Sequence, residues 1–463
     1  MIKKIMISAI LVLLVATKGD AVVAAGDNTA TAGALCEILA LGGGRSLLAQ
    51  AKASYDGAHH EILDLNMPPA GGSWHSVSED PDKKGTYPET KHKRFSTNTD
   101  WDTKWKEWAE TAQRLKDNNG IKQKLKDHKL HSRTVQHLAA AKQAVLQLAA
   151  EQSKLAAELQ RIKDTKKILT NEQLKEKINT ALYGENPALE ATLTQGAAFE
   201  GAAAASRAGN CDGTAKDNKA KTVMAALVCV CSEDSSSGLD QPFNKHLTLN
   251  QQWTSSSQPT NNVMQELRNL CPTAKPTTIT AARLASIISN VKTHFIASSS
   301  ATILGKLDTG TACSGFANSG LCLKYTDVHQ GAANTIDDIS WIAALNQIVN
   351  DIKDHEESVA AVDSIGRQLS ANTEKAGAFI ASIEQYTQAQ AAVSPTTNPN
   401  PAQAQKNDQN AKNACAQHRS NTSCTDEGCK WKGTSETDGK CTADESEITT
   451  QTNAETGTGD KPG

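Results

Sequence analysis

Aromatic residues make up only 4 % of the 463-residue chain, against 38 % hydrophobic residues overall, so large rings cannot fill a deep globular core. That composition suits long helices buried along a narrow stripe, with Ala supplying many contacts. The net charge of −3 removes any general electrostatic pull toward nucleic acid or acidic lipid. Past the N-terminus no segment reaches the roughly 18 apolar residues that a membrane span requires. There is no G-x-S-x-G, no H-E-x-x-H and no Cys in an activating setting. Together these absences argue against an enzyme and against nucleic-acid binding, and no cofactor is expected.

What is present begins with an export signal. Lys3 and Lys4 precede an apolar run from Ile5 to Ala16, and small residues around Ala21 to Ala25 offer a cleavage point, so residues 1–25 read as a signal peptide. An exported chain keeps its disulfides. Its eleven cysteines form two sets: Cys36, Cys211, Cys229, Cys231, Cys271, Cys313 and Cys322, then Cys415, Cys424, Cys429 and Cys441. Seven is odd, so one of the first set is free or paired between chains, and the sequence does not say which. Cys229-Val230-Cys231 resembles a metal-binding pair, but in this compartment two alternating cysteines on a strand or turn, each bridging a different partner, fit better. The tail spacing C-x8-C-x4-C-x11-C lacks the tight C-x2-C of zinc modules, which favours disulfides over a metal.

Ala34 to Leu63 reads as helix interrupted at Gly42-Gly43-Gly44, and Met67 to Thr97 as loop. Trp101, Trp105 and Trp108 recur at i, i+4 and i+7, one face of a helix, and predict an aromatic anchor against neighbouring helices. A helical pattern then runs to about Tyr183, broken at Asn118-Asn119-Gly120. Its later half carries a heptad seam, with Leu148, Leu155, Ile162 and Leu169 on one position and Val145, Gln152, Leu159 and Lys166 on the other.

A second pattern begins near Ile336. Leu345, Ile352, Val359, Thr373 and Ile380 share one heptad position, with Gly366 interposed; Ile348, His355, Val362, Leu369, Ala376 and Ile383 share the other. The predicted fold is all-α: a long antiparallel helical hairpin, a coiled coil in which each stretch covers the other's stripe. Polar seam residues such as Gln152, Lys166 and His355 set register. Roughly 40 to 50 helical residues would span roughly 60–75 Å, an elongated domain over residues 26–390.

Between the two patterns, Pro187 to Gly331 holds six cysteines and much Ser, Thr, Gly and Asn, and reads as a disulfide-stapled lobe of short helices and loops. Residues 391–413 form a Pro-rich flexible linker. Residues 414–442 are too few to stand on a core of their own, so two disulfides must hold a small C-terminal domain. Residues 443–463 read as a disordered tail.

Other candidate groups yield bland readings. His59, His60 and Glu61 are adjacent and read as solvated surface. Gly42-Gly43-Gly44-Arg45 lacks the phosphate-loop frame and follows no strand. Lys122, Lys124, Lys126, Lys129 and Arg133 have no interleaved aromatics and read as a solvated helix face. No metal site is expected. Asn421-Thr422-Ser423 is a sequon in an exported, polar segment, which makes Asn421 the expected glycosylation position.

Several segments carry a family resemblance. They are Cys36-Glu37-Ile38-Leu39-Ala40, Trp101 to Trp108, Ala181-Leu182-Tyr183-Gly184, Thr222 to Cys231 (TVMAALVCVC), Gly320-Leu321-Cys322-Leu323-Lys324-Tyr325-Thr326, Trp341, and Cys415 to Cys441 with Cys429-Lys430-Trp431. Across essentially the whole chain these resemble trypanosome variant surface glycoproteins, with a class B-like N-terminal domain and a four-cysteine C-terminal module. The resemblance implies a homodimer packed as a dense monolayer on the extracellular face of the plasma membrane. Such a coat shields the parasite from host antibodies and supports antigenic variation and immune evasion. It also implies a glycosylphosphatidylinositol anchor. No apolar tail follows Thr449 to Gly463, so the expectation is a truncated sequence whose anchor signal lies beyond it. The alternative reading is a surface receptor for a host serum protein on the same scaffold.

Overall fold

A computed structural model describes residues 23–52, 55–67, 77–117, 120–127, 135–184, 193–199, 201, 204–232, 234, 236, 241, 243–308, 312–393, 416, 418–426, 429–435 and 437–442. The chain divides into two compact units, Met1–Ile383 and Glu384–Gly463. The expected signal, up to residue 22, most of the expected linker, Cys415 and the tail after Thr442 lie outside the described residues. Val23, inside the segment read as signal, is buried against Leu321, and its N–H donates to the Ala317 carbonyl at 2.8 Å.

In chain order the elements are α1 (Thr29–Leu39), β1 (Ser46–Leu47), α2 (Asp56–Asn66), α3 (Trp105–Asp117), α4 (Gly120–Asp127), α5 (Val135–Asp164), α6 (Asn171–Tyr183), α7 (Gln195–Ala198), α8 (Arg207–Cys211), β2 (Asp212–Gly213), α9 (Val223–Cys231), α10 (Asn261–Leu270), β3 (Thr277–Thr278), α11 (Ala281–Lys292), β4 (Phe295–Ala297), β5 (Thr302–Leu307), β6 (Gly320–Tyr325) and α12 (Ser340–Val393). The second unit holds α13 (Asn421–Asp426) and the hairpin β7 (Lys430–Gly433) and β8 (Gly439–Thr442). Among the described residues no helix is long and apolar enough to cross a membrane.

The long helices form where Ala, Leu, Gln, Lys and Glu run without proline. Ala141, Val145, Leu148 and Ala149 of α5 share one core with Ala376 and Ile380 of α12, and Leu159 and Ile162 share another with Val362, Ile365 and Leu369. Early α5 therefore meets late α12, and the two helices pack antiparallel. Gln152 is fully buried, and its Nε2 donates to Leu369 O at 3.2 Å and to Ala58 O at 2.9 Å. Thr373 Oγ1 donates to the same Ala58 carbonyl at 3.0 Å. Ile62 and Leu65 join the first of these cores, so α2 is a third helix against the pair.

Two expectations are corrected here. The first helical pattern does not run unbroken to Tyr183: α5 ends at Asp164, and Lys166 turns into the left-handed region at φ 58°. The chain restarts through a capping box, in which Thr170 Oγ1 accepts from Gln173 N–H while Gln173 Oε1 accepts from Thr170 N–H. That local cap outcompetes continuation of the heptad, so Lys166 and Leu169 are not seam residues of a helix. Leu169 is still buried, and its N–H donates to His355 Nδ1 at 3.0 Å. The other ring nitrogen, Nε2, then carries the hydrogen and donates to Ala49 O at 2.8 Å.

The all-α expectation also fails in the lobe. The structure is helix-rich, but β2-β6-β5-β4 form a four-stranded sheet, and β1 pairs with β3. β5 and β6 run antiparallel from Thr302↔Tyr325 to Leu307↔Gly320, and β2 lies parallel to β6. Five of the six β6 residues are buried, which erases the period-two signal that marks a half-exposed strand.

Gly366 explains itself in three dimensions. The Tyr55 ring lies against α12 at this point, so a Cβ on Gly366 would overlap it, and Tyr55 Oη donates to Asp363 Oδ1 at 3.2 Å. Gly366→Ala should destabilise the first unit by about 1–3 kcal/mol, as overpacking does. A lowered Tm, restored by adding Tyr55→Ala, is the expected result; an unchanged Tm for the single variant would refute this contact.

Candidate functional site

The lobe is assembled around α9. All nine residues from Val223 to Cys231 are buried, so this helix is apolar on every face. Its N-terminus is capped by Thr222, whose Oγ1 accepts from Ala225 N–H at 3.1 Å. α1, α6, α8, α10, β5 and β6 pack around it. Asn28, just before α1, donates through Nδ2 to Val230 O at 2.7 Å and Leu321 O at 2.9 Å, tying the α1 start to α9 and β6.

The C-terminus of α9 needs its carbonyls satisfied, and a buried Arg207 does this. Its Nη2 donates to Ser232 O at 2.8 Å and to Cys229 O at 3.1 Å. The guanidinium lies 4.9 Å from the centre of the Trp253 ring, and Gly315 leaves the space it fills. Burial pulls the guanidinium down to about 10, with the nearby Asp234 opposing that shift. The group stays charged at neutral pH and sits at the negative end of the helix dipole.

Three disulfides close this lobe: Cys36–Cys271 joins α1 to the end of α10, Cys211–Cys229 joins α8 to α9, and Cys313–Cys322 staples the β5–β6 connection. Among the described residues Cys231 is the free cysteine, and it is buried. Cys229 and Cys231 therefore sit on a helix, and only Cys229 bridges. Burial pushes the Cys231 thiol up, so its nucleophilic thiolate is scarce. In the second unit Cys424–Cys441 ties α13 to β8, Cys429 is disulfide-bonded, and Trp431 packs beside them.

The remaining candidates are dispersed. Asn421 is the first residue of α13 and is half-buried. His59 faces Glu107 at 3.9 Å and is less solvated than expected, while Glu61 pairs with Lys124. Lys122, Lys124 and Lys126 lie on α4; Lys129 and Arg133 lie outside the described residues. Gly42 to Arg45 is a turn in which Gly43 N–H donates to Asn179 Oδ1 at 2.9 Å. Trp101, in a 3-10 turn, meets Trp105 and Trp108 of α3 at ring separations of 6.4 and 5.7 Å, and Phe95 packs on Trp101 and Trp105. Among the described residues no group of three or more His, Cys, Asp or Glu side chains is placed to hold a metal. The arrangement locks a scaffold and leaves its loops on the outside. Arg207 was missed in the sequence because nothing local distinguishes it; its role exists only where α9 ends.

Residues 10–371 match the trypanosomal VSG domain, and residues 415–462 match the trypanosome variant surface glycoprotein C-terminal domain. Over 467 aligned residues the chain is 28 % identical to variant surface glycoprotein ILTAT 1.23 of Trypanosoma brucei brucei, which covers 98 % of this chain and 85 % of that protein.

Arg207→Ala should strand two buried carbonyls and open a cavity, lowering unfolding stability by about 3 kcal/mol, read as a shifted urea midpoint. A midpoint equal to wild type would mean that water replaces the guanidinium. Cys231 should resist a thiol reagent in the native state and react on unfolding without reductant, and Cys231→Ser should abolish that late signal. Rapid native-state labelling would contradict the burial described here.

Proposed function

The chain belongs to the trypanosome variant surface glycoprotein family, and from that membership we propose how its parts carry out the family's task. It is a variant surface coat glycoprotein; immune evasion follows from the family. Its action is steric: a closely packed layer keeps antibody from whatever lies beneath, and this needs stiffness and density rather than a reaction. No catalysis, cofactor or metal enters this reading.

The observation that carries the proposal is the antiparallel pairing of α5 with α12, closed by two apolar clusters and by the buried Gln152, which donates to Leu369 O. We read this pair as a long coiled-coil hairpin that acts as the spacer of the coat. The disulfide-closed lobe presents the surface loops. An N-terminal signal over residues 1–25 directs export. The helical domain reaches to about residue 390, a linker extends to 413, the cysteine module occupies 414–442, and residues 443–463 form a tail. Family membership leads us to place a glycosylphosphatidylinositol anchor downstream of that module, at the plasma membrane, and to expect homodimers within the coat. Asn421 is the proposed glycan acceptor. The receptor reading of the same scaffold has no observation in its favour.

Sedimentation of the exported full chain should give a dimer at micromolar concentration, and Asn421→Gln should remove the mass of one N-linked glycan. On intact cells, antibodies to the lobe should bind while antibodies to the cysteine module should not. A monomer throughout would remove the dimer from this reading, and equal antibody access to both parts would overturn the shield.

A further inference from the structure

A groove of about 780 Å³ lies between α2, α3 and α5 in the first unit, away from the lobe. Its volume falls within the roughly 300–1,000 Å³ typical of sites for small ligands. Met67, Trp108 and Ala149 line it with apolar surface. Leu146 stands beside them 44 % exposed, one of three large apolar side chains so exposed among the described residues. The groove stays open because α5 presents alanines along this wall, at 149, 150, 156 and 157, where larger side chains would fill it. Leaving that surface in water is unfavourable by about 25 cal/mol per Å², so an apolar occupant gains by covering it.

Charge selects among apolar occupants. Lys104, Lys142 and Lys154 line the groove, against a single carboxylate, Glu107. Glu107 is already engaged: Ser153 Oγ donates to its Oε1 at 3.0 Å, and burial holds its carboxyl above the usual range. Three lysines against one carboxylate leave the lining net positive over an apolar floor, which complements an anion at the head of a hydrocarbon chain.

We propose that this groove binds a single-chain amphipathic anion of the fatty-acid class, its tail along Leu146 and Trp108 and its carboxylate among Lys104, Lys142 and Lys154. The site is independent of the coat function and adds ligand carriage to it.

The test is calorimetric titration of the full chain with dodecanoate, kept below the concentration at which dodecanoate forms micelles. Saturable binding of one molecule per chain is expected. Leu146→Glu and the double variant K142E/K154E should each weaken it by about tenfold or more while keeping the wild-type Tm. Acetate, which lacks the tail, and dodecyltrimethylammonium, which reverses the head charge, should not compete. Absence of saturable binding would overturn the proposal, as would unchanged affinity in both variants or equal binding of the cationic analogue. Loss of dodecanoate binding as the chain self-associates would show that a second copy covers the groove, and would likewise overturn it.

Discussion

A helix buried on every face is the constraint from which the lobe follows. α9 has no polar side to turn toward water, so other elements must surround it, and its end groups must find partners inside the protein. Thr222 meets the N-terminal demand from the adjacent residue in sequence. The C-terminal demand is met from a distance, by Arg207 reaching Cys229 and Ser232. A buried guanidinium is tolerable there because the helix end supplies negative potential and the Trp253 ring covers its face. The disulfides then act on elements that already converge: Cys211–Cys229 fastens α8, which carries Arg207, to the helix that Arg207 caps.

The paired helices solve a different problem. An Ala- and Leu-rich seam tolerates sliding, because many registers bury similar area. Gln152 and His355 remove that freedom: both are buried, and both hydrogen-bond to backbone carbonyls or amides outside their own helices. A register shift would leave these groups unpaired in an apolar setting, a penalty of about 1–3 kcal/mol for each. Tyr55 against Gly366 adds a steric stop to α12. Order in the seam is thus set by a few polar and aromatic contacts, while the apolar residues supply the bulk of the attraction.

These two devices bear on a coat. A shield that changes its exposed surface must keep its frame, and here the frame depends on interior contacts: a sealed helix, its caps, three disulfides and a register-locked pair. Surface loops contribute little to that interior, so substitution in them leaves the packing intact.

Much of this was legible in the chain itself. Heptad spacing from Val145 to Ile162 and from Val362 to Ile380 marks the stretches of α5 and α12 that share apolar clusters, whereas Leu345, Ile348 and Ile352 at the start of the second pattern pack into the lobe core instead. Cysteine count and the export signal foretold a stapled lobe and a small stapled module, and the motifs around Cys36, Thr222 to Cys231 and Gly320 to Thr326 foretold the family. Tertiary structure decided what depends on distance rather than order. It ended α5 at Asp164, where the Thr170 cap prevailed over the heptad, and it made strands of residues whose alternation is hidden because both faces are buried. It also chose Cys231 as the unpaired thiol and Arg207 as the cap of α9. Those outcomes require knowing which groups meet across a folded interior, and hydrogen bonds and disulfides between residues far apart in the chain leave no periodic trace in sequence.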